Sequence, residues 1–214
     1  MRYKFLPSFV RRKGRITKLQ EKNLIHLADY SLNDLSELNN KPISKKIALE
    51  IGFGNGEDFF SFAEKEKDTL FLASEVYKSG IGNLIGKIRE HSLENIFIFE
   101  GDIRDFIFEE NDFQFDEIYI ICPDPWPKDR HHKRRLLDKD FFERIQSCLE
   151  PTSNIYISTD WKNYAEQIQE VLKDFKDKFS VEMLNKIPGR ELSKFQKKGI
   201  EEGRHIYSFK LSVI

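Results

Sequence analysis

The sequence predicts an α/β fold: a doubly wound, mostly parallel sheet that finishes in an antiparallel hairpin at its C-terminal edge. Three observations carry this. Short apolar runs rich in β-branched and aromatic residues alternate with helix-length amphipathic stretches, the pattern of strands buried on both faces and crossover helices. The first run ends in Gly52-Phe-Gly-Asn-Gly56, a turn bare enough for a ligand to approach the backbone. The last two strand-like runs have no amphipathic stretch between them.

Taken in order, Ile47–Ile51, Leu70–Ser74, Ile96–Phe99, Ile118–Ile121 and Asn154–Ser158 read as parallel strands. Residues 57–66, 78–91, 138–149 and 161–176 read as helices, with apolar positions three or four apart such as Phe141, Ile145 and Leu149. Phe179–Met183 and Ile206–Val213 complete the hairpin, joined by a Gly- and Lys-rich segment rather than a helix. Residues 1–45 form a basic arm with a helix-like stretch at Leu24–Ala28, and 46–214 form one domain. A chain of 214 residues with 39% hydrophobic content suffices for that single core.

Composition bounds the setting. The two cysteines, Cys122 and Cys148, lack metal-ligand spacing and read as buried thiols in a reducing compartment. No disulfide and no metal site are expected. The apolar stretch Phe5–Val10 is too short and interrupted for a secretion signal, and no run approaches a membrane span, so the expected location is the cytoplasm.

A net charge of −1 conceals a segregation. Lys and Arg outnumber Asp and Glu by 8 to 1 in residues 1–22, 5 to 2 in 122–135 and 7 to 3 in 185–210, which leaves −15 for the remainder. Cations sorted this way suit a polyanion, provided the fold gathers them; a solvated basic tail is an equal reading of the N-terminal segment alone. The densest segment is Pro123-Asp-Pro-Trp-Pro-Lys128 followed by Asp129-Arg-His-His-Lys-Arg-Arg135. Its three prolines fix a rigid loop at a strand end, where open sheets bind ligands, so Asp124 and a basic surface share one site.

The glycine turn has the spacing G-x-G-x-G, with Glu75 and Asp102 at the ends of the next two strands. A carboxylate at Glu75 can accept both ribose hydroxyls, and one at Asp102 can reach an adenine amino group, a set that fits S-adenosylmethionine. Either acid alone could be a solvated strand end. Glu50, inside an apolar strand, needs a partner that a ligand donor could supply.

These motifs together resemble the bacterial tRNA (guanine-N7-)-methyltransferases. Arg12-Lys-Gly-Arg15 is similar to that family's arm motif, Glu50–Glu57 to its cofactor loop, and Pro123–Lys128 with Arg130–Arg135 to its signature loop; Thr159-Asp160 and Ser193-Lys194-Phe195 also match. The chain has Ser193-Lys-Phe-Gln196 where the family usually has threonine–lysine–phenylalanine–glutamate, and Asp129 where a second basic residue is usual. The resemblance implies a Rossmann-like class I fold that methylates guanine 46 of the tRNA variable loop, as a monomer or homodimer. It implies that Glu50, Gly52, Gly54, Gly56, Glu75, Asp102 and Asp124 contact S-adenosylmethionine, with Asp124 catalytic. It also implies that Lys128, Asp160, Ser193, Lys194, Phe195 and Gln196 touch the guanosine.

Chemistry constrains the roles independently. Guanine N7 is a bare lone pair, so its attack on a methyl group needs alignment and charge, not a base. A carboxylate can accept the paired N1–H and N2–H donors of guanine, a role suited to Asp160, which could equally cap the helix beginning at Trp161. Arg12, Arg15, Arg130, Lys133, Arg134 and Arg135 are expected on phosphates, and His131 and His132 on phosphate or in stacking. Two other classes stay open: a methyltransferase acting on a small molecule or protein, and a non-catalytic RNA-binding protein.

Overall fold

A computed structural model describes residues 6–9, 15–32, 46–107 and 113–214. Strands β1 (Lys46–Ile51), β2 (Thr69–Glu75), β3 (Ile96–Glu100), β4 (Phe115–Ile121), β5 (Leu149–Thr159), β6 (Phe179–Leu184) and β7 (Tyr207–Val213) form one seven-stranded sheet. Its order is β3-β2-β1-β4-β5-β7-β6. The first five strands pair in parallel, and β7 lies antiparallel between β5 and β6. The reversal of strand order falls between β1 and β4, so the glycine turn and the proline loop open side by side. The parallel sheet with its C-terminal antiparallel pair agrees with the sequence reading.

Helices α1 (Lys18–Leu24), α2 (Leu27–Tyr30), α3 (Glu57–Ala63), α4 (Lys78–His91), α5 (Ile103–Ile107), α6 (Lys139–Ile145), α7 (Lys162–Leu172) and α8 (Lys194–Glu201) cover the sheet. Phe59, Phe62, Ile81, Leu84 and Ile88 of α3 and α4 pack on one face; Phe106, Phe141, Phe142, Ile145, Tyr164 and Ile168 pack on the other. All seven residues of β2 are buried, which explains its unbroken apolar character. The helix-like Leu24–Ala28 straddles a break at Ile25-His26 between α1 and α2.

Leu149, read on the helix over 138–149, opens β5 instead, and a second expectation is overturned. The segment between β6 and β7, read as non-helical, holds α8. Ser193 caps it: its hydroxyl accepts from the Gln196 N–H at 3.2 Å, and the Gln196 side chain accepts from the Ser193 N–H at 2.8 Å. The helix is polar and buries Gln196 and Gly199 instead of an apolar stripe, so hydrophobic periodicity does not mark it. The short α5 also went unread, because one and a half turns carry too little periodicity.

Candidate active site

The site is built on backbone bends that only particular residues tolerate. Gly52, Gly54 and Gly56 have φ of 74°, 61° and 80°, all left-handed. A Cβ at Gly52 would meet nothing within 4 Å, and one at Gly54 would meet only Phe195 Cε2 at 3.9 Å, so the bare turn faces open space. Beneath it, Gly80 of α4 lies so close that a Cβ there would fall 1.8 Å from the Gly54 carbonyl oxygen.

The acids around this turn are each held. Glu75, at the end of β2, accepts from the backbone N–H groups of Gly54 (2.7 Å), Val76 (2.7 Å) and Tyr77 (3.0 Å). Burial raises its pKa against those three hydrogen bonds, and the charge of Asp124 adds to the rise, so the two carboxylates share one space. Asp102 is paired with Arg104 through Nε (3.1 Å) and Nη2 (2.7 Å). Glu50 is paired with Arg190 at 2.8 and 3.0 Å, both side chains being buried. Its pKa is raised by burial, opposed by the charge and hydrogen bonds of Arg190.

After β4 the chain turns through two left-handed non-glycine residues, Cys122 (φ 51°) and Trp126 (φ 45°), a concentration of strain typical of functional loops. Asp124 is exposed at its crest. The Trp126 indole meets His131 edge-on at 5.6 Å and lies under the Arg134 guanidinium at 5.2 Å. The N-terminal arm reaches this loop: the carbonyls of Leu6, Pro7 and Ser8 accept from Arg104 Nη1 (3.0 Å), Arg134 Nη1 (3.2 Å) and Trp126 Nε1 (2.8 Å). The first two basic segments of the sequence therefore meet. Lys128, Arg130 and Lys133 are exposed on the 3-10 turn Asp129–Arg134 and its approach, and His132 faces Asp129 at 3.7 Å.

The third basic segment closes the site. Asp160 pairs with Arg204 Nε at 2.8 Å and packs against Gly199, so the carboxylate is tied to the far end of α8. It does not cap α7; the Trp161 N–H is taken by Thr159 Oγ1 at 3.2 Å. At the near end, the Lys194 N–H donates to Asp58 of α3 at 3.1 Å, and the exposed Phe195 ring hangs over Gly54. The Cys122 thiol is pushed up to about 12 by burial and then by the Asp160 charge, against hydrogen bonds with Ser193, Ser158 and the Asp160 backbone.

With this geometry in place, comparison with known proteins is decisive. The family model Methyltransf_4, described as "Putative methyltransferase", matches residues 44–209. The tRNA (guanine-N(7)-)-methyltransferase of Nitrosococcus oceani is 37% identical, over 97% of this chain and 92% of its own. That of Neorickettsia sennetsu is 35% identical, over 89% and 82% respectively. The chain belongs to the bacterial tRNA (guanine-N7-)-methyltransferase family. Its fold is also that of the precorrin-6y C5,15-methyltransferase of Geobacter metallireducens, with a TM-score of 0.54 at 14% identity, covering 95% of this chain and 92% of that one.

Against this family pattern, several side chains stand elsewhere than expected. Arg135, expected on phosphate, is 1% exposed: it donates to the Pro125 carbonyl (2.8 Å), Gln167 (2.6 Å) and Asn163 (2.8 Å) and stacks on Tyr164, bracing the loop from within. Gln196, expected on the guanosine, is buried, and its amide is spent on the Ser193 cap and on Ser158 Oγ (3.1 Å). The Ser193 hydroxyl is likewise in the cap. Glu50 has its partner in Arg190, a protein group, where a ligand donor was expected. Arg12 lies outside the described residues; Arg15 is exposed just before the α1 cap. Sequence reasoning missed Arg190 and Gly80. A buried Glu50 called for a cation, and three glycines in one helix (80, 82 and 86) called for close backbone contacts. Among the described residues no His, Cys, Asp and Glu cluster could hold a metal, and no helix is long and apolar enough to cross a membrane.

Proposed function

We propose that this protein transfers a methyl group from S-adenosylmethionine to N7 of guanine 46 in the tRNA variable loop. The observation that carries the proposal is the meeting of Phe195 with Gly54: the guanosine motif and the cofactor turn face the same open space. The residues present fit the cofactor, since two left-handed glycines bare their backbone to that space and acids end β2 and β3 beside it. When bound, S-adenosylmethionine supplies an electrophilic methyl group on a sulfonium.

The chain's own residues do the rest. Glu75 holds the turn through the Gly54 N–H and keeps lone pairs for ribose hydroxyls; Asp102, oriented by Arg104, keeps lone pairs for an adenine amino group. Asp124 sets a negative charge where positive charge moves toward the purine. Asp160, fixed by Arg204, accepts from the Watson–Crick edge of guanine, while Lys128, Lys194 and Phe195 bound the base. Burial keeps the Cys122 thiol protonated at neutral pH, so it offers no thiolate in competition with N7. Arg15, Arg130, Lys133 and Arg134 offer cations to the RNA backbone. Acting on tRNA, the protein works in the cytoplasm, as a monomer or homodimer.

The test is incubation of the full chain with labelled S-adenosylmethionine and unmodified tRNA, followed by nucleoside analysis. The expected product is 7-methylguanosine at one position, lost when guanine 46 is replaced. Label absent from tRNA, or found at another atom, would overturn the proposal.

A further inference from the structure

We infer that Arg190 is a positioning residue for methyl transfer: it sets the distance between the guanosine-binding start of α8 and the cofactor turn. The inference rests on the substrate reading above. Arg190 follows Ile187-Pro188-Gly189, a tight turn in which the Arg190 N–H donates to the Ile187 carbonyl at 3.3 Å and Gly189 takes φ of 70°. Proline then glycine at the centre is the chemistry of a type II turn, which leaves little freedom in where the arginine points.

From that turn the guanidinium touches three elements that lead into the site, β1, α3 and β4. It forks onto Glu50 at 2.8 and 3.0 Å, two residues before Gly52 on β1. It lies 4.6 Å from the ring centroid of Phe62, on the helix that follows the glycine turn, and 5.4 Å from that of Tyr119, on the strand that leads to Asp124. Three residues further along its own segment, Ser193 opens α8 and presents Lys194 and Phe195. Arg190, Glu50, Phe62 and Tyr119 are all buried, so the fork is shielded from competing water and its planar geometry is fixed. A shift at Arg190 moves Phe195 relative to Gly54, and in-line transfer tolerates little misplacement.

The discriminating variant is Arg190→Lys, which keeps the charge and loses the fork. With saturating S-adenosylmethionine and tRNA, the single-turnover rate is expected to fall at least tenfold, while both dissociation constants stay within threefold. A residue that merely held the fold together would not split rate from affinity. If Arg190→Lys does not fold, the same measurement on Phe62→Leu decides, since it keeps the Glu50 pair and removes a ring that fixes the guanidinium. An unchanged saturating rate in the folded variant, or a rate loss matched by lost cofactor affinity, overturns the role of Arg190. Wild-type protein that forms no 7-methylguanosine overturns the substrate reading, and this inference with it.

Discussion

Asp124 stands exposed on a loop braced from below, so its substitution tests chemistry with little effect on folding. Asp124→Asn should lower the single-turnover rate about 10²-fold, the scale of losing one preorganised electrostatic group, with the thermal midpoint unchanged. Wild-type turnover in that variant would remove Asp124 from the mechanism. His131 offers a pH signature. Desolvation, then Arg130, Lys128, Arg134 and Lys133, lower its pKa below the ordinary 6.5, so the free protein holds it neutral at pH 7. RNA phosphates favour the imidazolium, and binding then takes up a proton. tRNA affinity should therefore rise as pH falls below 6.5, and His131→Gln should flatten that dependence; equal slopes in the two proteins would place His131 away from the RNA. Arg135 and Arg130 separate brace from contact. Arg135→Ala removes a buried guanidinium that ties the loop to three part-buried acceptors, and should cost about 2 kcal/mol of stability in denaturant unfolding. Arg130→Ala should leave stability unchanged and lower the slope of log K for tRNA against log salt by about one.

At the scale of elements, α4 is a rail between the glycine turn and α1. Gly80 accommodates the Gly54 carbonyl, while Gly82 and Gly86 accommodate α1: Cβ atoms there would fall 2.7 Å from the Gln20 carbonyl oxygen and 2.4 Å from Asn23 Nδ2. Asn23 completes the contact by donating to the Gly82 carbonyl at 2.9 Å. Alanine is the better helix former by about 1 kcal/mol, so any loss on substitution reports these close approaches. Gly80→Ala should weaken S-adenosylmethionine binding about tenfold by displacing the turn. Gly86→Ala should spare the cofactor and reduce tRNA affinity by unseating α1 and the basic segment before it. Calorimetry with cofactor and filter binding with tRNA read the two separately; a common effect of both variants on both ligands would show that α4 responds as a whole.

For the whole molecule, the question is whether basic segments distant in sequence act as one surface. The arm and the proline loop touch through Pro7 and Ser8, and Leu6 ties the arm to Arg104 of α5, whereas the start of α8 meets the glycine turn through Phe195. Removing residues 1–15 leaves the α1 cap, Thr17 with Gln20, and its seat on α4 intact. Such a truncation should keep cofactor affinity, lose tRNA affinity and show a shallower salt dependence. Unchanged tRNA binding would confine the footprint to the proline loop and the C-terminal segment.

Much of this was legible in the chain itself. The apolar runs, the glycine turn and the prolines act through local backbone preferences and period, so strands β1 to β5, their parallel direction and the turns at their ends followed from residues alone. The acids at strand ends could be located, since strand ends are where chain and solvent meet. What each acid is bonded to could not. Glu50 with Arg190, 140 positions apart, Asp160 with Arg204, and Arg135 turned inward onto Asn163 and Gln167 are pairings between distant segments. A sequence lists charges without saying which are buried. Burial and partner choice arise only when helices and loops pack, because desolvation forces each buried charge to find its complement wherever the fold has brought one.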